Sequence, residues 1–172
     1  PLRDNDSALA IALPFGQCSA ASLAELAESA SGIVDFRFSP DRRLLAIAPR
    51  EAGEALQAKA TTLGFITDPT DPRLRVAACP GSPACASGYF DAKKVGRQAA
   101  AMLPSDFTGT VHVSGCAKGC AHPASADYAI VGTEAGLSLI RNGRAGDAPF
   151  ARTPDIDTAL DLLRGEFIGT SA

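Results

Sequence analysis

In His112-Val-Ser-Gly-Cys-Ala-Lys-Gly-Cys-Ala-His-Pro123, a short apolar run stops at a glycine and gives way at once to two cysteines, Cys116 and Cys120, three residues apart. About thirty residues upstream, Ala78-Cys-Pro-Gly-Ser-Pro-Ala-Cys-Ala86 holds a second pair, Cys79 and Cys85, with five residues between them. Four thiols in two pairs, embedded in Gly, Pro and Ala, read as the ligands of one inorganic centre. The occupant that suits them is a [4Fe-4S] cluster, which takes four thiolates and is tuned by hydrogen bonds to its sulfurs; small neighbours let backbone N–H groups come close enough to supply them. Zinc is the alternative, but its structural pairs sit on knuckles of two to four intervening residues, and five falls outside that habit.

The fifth cysteine, Cys18, stands alone in Phe15-Gly-Gln-Cys-Ser19 and reads as a small buried hydrophobe. An odd count with no apolar leader argues against a secreted disulfide framework. The 172 residues, 46% hydrophobic, suffice for one medium domain or two small ones. No stretch approaches the length of a membrane span, so a cytoplasmic protein without membrane contact is expected. The first residue is Pro1 rather than Met, which suggests a processed chain or a piece of something longer.

Net charge is −3, which excludes nucleic-acid binding on bulk electrostatics. The charge is unevenly spread. Residues 1–72 carry six basic and ten acidic side chains, whereas residues 73–152 carry nine basic and five acidic. Positive charge thus accompanies the cysteines, as a polyanionic ligand would require.

Ala8 to Leu13 reads as a strand, Ser19 to Ser31 as a helix stopped by Gly32, Ile33 to Phe38 and Leu44 to Ala48 as two strands around Ser39-Pro40-Asp41, and Glu51 to Leu63 as a helix closed by Gly64. The order βαββα matches a ferredoxin-like half domain. Thr67-Asp-Pro-Thr-Asp-Pro72 is a stiff linker, dividing the chain into pieces at 1–68 and 73–172. Beyond it, Leu74 to Ala78 reads as a strand delivering Cys79. Cys85 opens a helix to about Leu103, where the N-terminal partial charge favours a thiolate. Thr110 to Ser114, Tyr128 to Val131 and Leu137 to Ile140 read as strands, followed by an Asn142-Gly143 turn. Asp155 to Leu163 is a last helix, ended by Gly165. The expected class is α/β (α+β), with both cysteine pairs just beyond strand ends, where α/β proteins place their ligands.

Cys79-x5-Cys85, Cys116-x3-Cys120 and the half domain ahead of them resemble the sirohaem nitrite and sulfite reductase superfamily. Ser114-Gly-Cys-Ala-Lys-Gly-Cys120 with Asp127 is similar to its cluster signature, with Tyr128 where an aliphatic residue is usual. The His112–Pro123 and Ala78–Ala86 runs, with Arg141-Asn-Gly-Arg-Ala-Gly-Asp-Ala-Pro149, resemble the precorrin-3B synthase family of aerobic cobalamin biosynthesis, and in particular its cluster-bearing C-terminal half. That resemblance implies an O2-dependent monooxygenase that hydroxylates precorrin-3A and closes a lactone. It implies Cys79, Cys85, Cys116 and Cys120 as ligands of a cluster relaying electrons, a separate non-haem iron whose ligands the motifs leave unassigned, an electron donor or reductase, and a missing N-terminal half.

A tetrapyrrole with many carboxylate arms needs cations, and Lys118, Arg97 and Arg144 are the candidates for substrate binding. His112, His122 and Asp127 have the composition of a two-His, one-carboxylate iron site. A histidine beside a cluster is more commonly a hydrogen-bond donor, so they are not assigned as ligands. Two other readings stand beside the monooxygenase. One is the cluster half of a sirohaem reductase, with Cys120 bridging to sirohaem iron. The other is a cluster- or zinc-stapled binding module without catalysis.

Overall fold

The computed structural model describes residues 5–30 and 35–169. Chain contacts divide it into two units that meet in sequence at Asp71 and Pro72.

In the first unit, β1 (Asp6–Ala12), α1 (Ala20–Ser29), β2 (Asp35–Ser39), β3 (Arg43–Pro49) and α2 (Arg50–Thr62) follow the expected βαββα order. β3 is central and pairs antiparallel with both β1 and β2. Its alternation puts Leu44, Ala46 and Ala48 inside, as a strand with one buried face requires. Leu44 and Ala46 join Ile11, Leu26, Leu56 and Phe65 in one apolar core. Ser19 caps α1 by accepting the Ser22 N–H at 2.9 Å. The expected helix end at Gly32 and the start of β2 at Ile33 lie outside the described residues.

The second unit is built on a five-stranded mixed sheet in the order β4 (Val76–Ala78), β5 (Val111–Ser114), β6 (Ala126–Thr133), β7 (Gly136–Gly143) and β8 (Ala151–Thr153). β4, β5 and β6 run parallel, and β6, β7 and β8 antiparallel. The two helices, α3 (Ala92–Met102) and α4 (Ile156–Gly169), complete the unit: α3 packs on β4 and β5, and α4 on β7 and β8. Because side chains alternate, Val111, Val113 and Ile130 share one face, while His112, Ala129 and Val131 share the other. Every residue of β5 is buried, so both faces of the sheet are covered there. The mixed α/β class is as the sequence indicated.

Several local expectations need correction. Cys85 does not open a helix: α3 starts seven residues later, where Asp91 accepts the Lys94 N–H at 2.9 Å as its N-cap. The backbone of residues 81–90 is committed elsewhere, Ser82 N–H to Phe90 O and Tyr89 N–H to Gly115 O. The apolar run at 74–78 is half 3-10 turn, Pro72–Arg75, and only Val76–Ala78 is strand. Asn142 and Gly143 continue β7, Asn142 with φ 50°, and the turn follows, Asp147 N–H bonding Arg144 O. α4 runs through Gly165, beside which a Cβ would meet nothing. Cys18 is exposed, not buried, lying between the 3-10 turn at Pro14–Gly16 and the α1 cap; its slight burial pushes the thiol pKa up.

Candidate metal centre

β4 and β5 are neighbours and parallel, with Ala78 opposite Val113, so both release their chains at the same edge of the sheet. Cys79 follows β4 by one residue and donates its N–H to Val113 O at 3.3 Å. Cys116 follows β5 by two, and the buried Ser114 hydroxyl donates to its carbonyl at 2.7 Å. The loops are clamped together at Gly115. Its N–H points at the sulfur of Cys79, 3.1 Å away, and its carbonyl accepts the Tyr89 N–H. A Cβ on Gly115 would lie 3.1 Å from Gly81 Cα, 3.3 Å from Gly88 Cα and 3.5 Å from Cys79 Sγ, so a side chain there pushes the loops apart.

Gly81 is needed twice over. Its φ of +67° suits only glycine without strain, and a Cβ on it would collide with the Phe90 carbonyl. The tight path it allows lets Gly81 O accept the Cys85 N–H at 2.8 Å, and Cys85 O accept the Gly88 N–H at 2.9 Å. Cys79, Cys85 and Cys116 are half-buried and Cys120 is exposed. Among the described residues, no three His, Cys, Asp or Glu side chains gather around a point where a single ion would sit. An amide aimed at a cysteine sulfur and a side-chain-free seam between the loops are what a cluster's thiolates require, and the residues fit that group.

His112 is fully buried on β5, under the second cysteine loop, with its Cε1 3.6 Å from the Cβ position of Gly119. Its ring meets that of His122 edge-on, centroids 5.7 Å apart. His122 Nε2 lies 3.2 Å from Ser125 O. Asp127 is engaged elsewhere, accepting the Thr110 N–H at 2.7 Å at the opposite end of β5.

Lys118 reaches from the second cysteine loop to the first, its ammonium donating to Ser87 Oγ at 2.9 Å. It stands on a ridge between two grooves. One, of about 310 Å³, also includes His122, Arg144 and Asp147. The other, of about 580 Å³, includes Cys116, Tyr89 and Glu134. The structure thus brings Lys118 and Arg144 to one groove. Arg97 lies on the exposed side of α3 and lines neither. Sequence reasoning missed Tyr89, whose signal was an aromatic placed four residues after a cysteine in a Gly/Ser loop. A further depression of about 740 Å³ lies among Phe107, Asp127, Tyr128, Arg141 and Glu166, on residues remote from the cysteine loops.

The fold is shared with a protein of solved structure. The Mycobacterium tuberculosis NirA protein superposes with a TM-score of 0.69 at 20% identity, over 91% of this chain and 34% of that one. No protein-family model matches the chain. A curated relative named precorrin-3B synthase, from Sinorhizobium sp, is 36% identical over 169 residues, 95% of this chain. The resemblance to precorrin-3B synthases read from the cysteine motifs is therefore borne out along nearly the whole sequence. The chain spans 37% of that relative's length. Among the described residues, no helix is long and apolar enough to cross a membrane.

Proposed function

We propose that this chain is the cluster-bearing part of a precorrin-3B synthase, an O2-dependent monooxygenase that hydroxylates precorrin-3A and forms a lactone in cobalamin biosynthesis. Supporting it are the 36% identity to a protein of that name and the Gly115–Cys79 contact that locks two cysteine loops at one sheet edge. Cys79, Cys85, Cys116 and Cys120 hold a [4Fe-4S] cluster, which stores and passes on single electrons when bound. The two units correspond to a ferredoxin-like half domain and a cluster domain of the reductase type. Lys118 and Arg144 pair with carboxylate arms of the substrate from their shared groove. Arg97, exposed on α3 outside both grooves, is a further candidate for a carboxylate arm. The ligands of the non-haem iron are unassigned, and the remainder of the enzyme, an electron donor and O2 complete the reaction.

The NirA likeness favours one other reading, a sirohaem reductase fragment in which Cys120 also bridges to the haem iron. Anaerobic iron and acid-labile sulfide analysis with a visible spectrum, on this chain and on Cys116→Ser, separates them. About four iron and four sulfide, lost in the variant, support the cluster. A sirohaem band beside them transfers the chain to sulfite or nitrite reduction. Zinc, or no metal in strictly anaerobic protein, rejects both.

A further inference from the structure

Of the four cysteines, Cys116 is the one that opens into a groove described above, and the wall beside it is Tyr89. Tyr89 is 57% exposed, unusual for a large aromatic side chain, and its backbone is pinned by the N–H bond to Gly115 O at 2.9 Å. In the same unit Phe150 is also exposed, but its ring is covered by the Arg141 guanidinium, 4.6 Å from the centroid. No ring or cation covers Tyr89 among the described residues. The floor of the groove contains Gly132, where a Cβ would collide with the Gly115 carbonyl and lie 3.0 Å from the Phe90 ring. Only a bare backbone fits at that position of the lining. Lys118 stands on one lip and Glu134 is also in the lining.

A backbone-anchored aromatic and one cation in the same lining suit a ligand with a conjugated face and acidic substituents, since ring faces stack offset and the ammonium takes a carboxylate. We infer that the Tyr89 groove is the platform on which the tetrapyrrole ring lies against the Cys116 side of the centre, with one carboxylate arm at Lys118. This rests on the substrate class proposed above and adds the place and the stacking residue. Glu134 acts as a filter, repelling an arm directed toward it and so restricting the ring's rotation in the groove.

Uroporphyrin III, a fluorescent porphyrin octacarboxylate, serves as the probe. Its binding to the anaerobically reconstituted chain is followed by fluorescence anisotropy, with iron and sulfide measured on the same samples. Wild type binds; Tyr89→Ala weakens binding roughly tenfold, in line with a lost ring-on-ring contact, while Tyr89→Phe restores it. Lys118→Met weakens binding and flattens its salt dependence, and Glu134→Gln tightens it. Since Tyr89 is largely exposed, its removal leaves no cavity, and iron content stays at the wild-type value. A cluster-loaded chain that ignores the porphyrin, or binds it equally well as Tyr89→Ala, overturns the groove assignment. Absence of the cluster from wild type would instead strike the underlying enzymatic reading.

Discussion

The amide of Gly115 and the sulfur of Cys79 stand 3.1 Å apart, although 36 residues separate them in the chain. An N–H aimed at a thiolate stabilises the more negative, reduced state of any iron–sulfur centre it touches, and so raises the potential. Gly115→Ala sets a methyl 3.1 Å from Gly81 Cα and moves the amide away. The midpoint potential of the variant should fall, with iron content equal to or below wild type. A full cluster at an unchanged potential would show that this bond has no electrostatic role.

Each of Cys79→Ser, Cys85→Ser and Cys120→Ser should lose iron and sulfide as Cys116→Ser does, while Cys18→Ser, at an exposed position of the first unit, should retain them. Iron analysis after anaerobic reconstitution checks the whole set. Retention in any of the first three would remove that residue from the ligand set.

His112 fills the space beneath Gly119 and is 0% exposed. His112→Ala opens a cavity there, costing about 2 to 4 kcal/mol if the site does not collapse. The second cysteine loop then loses its support, and the cluster's lifetime in air should shorten. His122→Ala, half-exposed, should leave iron stoichiometry unchanged. Loss of an additional, non-cluster iron in that variant would make His122 a metal ligand.

Asp155 caps α4: its Oδ1 accepts the Thr158 N–H at 2.8 Å and its Oδ2 the Thr158 hydroxyl at 2.9 Å. Those bonds, the backbone one foremost, hold its carboxyl below the usual aspartate pKa. A carboxyl depressed by folding stabilises the fold above its unfolded pKa of about 3.9, and that contribution disappears as pH falls through the lower folded value. Asp155→Ala should therefore lower the melting temperature at pH 7, and the gap to wild type should close in strong acid. Equal melting temperatures at pH 7 would refute the cap.

Precorrin-3A should go unconverted by this chain alone, and conversion should appear when the rest of the enzyme and a reductant are supplied. Product formation by the isolated chain would show that the whole reaction resides in these 172 residues.

What could be read from sequence followed from strong local chemistry. The strand ahead of each cysteine pair announces itself by a short apolar run that stops at Cys79 and at Gly115, and β3 by the continuous apolar run at residues 44–48. The errors have equally local causes. Residues 85–91, which include Ser87, Gly88 and Asp91, are weak helix formers, and the Tyr89 N–H and Phe90 carbonyl are taken by Gly115 O and the Ser82 N–H. β8 is three residues long, too short to show a period, and is held by its pairing to Leu137–Leu139. Gly165 is tolerated inside α4 because packing sustains the helix around it, with Leu163 and Phe167 both buried. Tyr89 was overlooked because its one signal, an aromatic four residues after Cys85 in a Gly/Ser loop, does not reveal that the folded surface leaves the ring exposed.

The parallel pairing of β4 with β5 obliges the chain to cross back over the sheet through α3 before Cys116 and Cys120 can join Cys79 and Cys85. A nascent chain emerging only as far as α3 therefore exposes half a ligand set, two thiols that could capture a stray metal or oxidise. Completion of β5 brings the other pair to the same edge. A four-cysteine centre of the kind proposed would therefore be complete only once the crossover had closed.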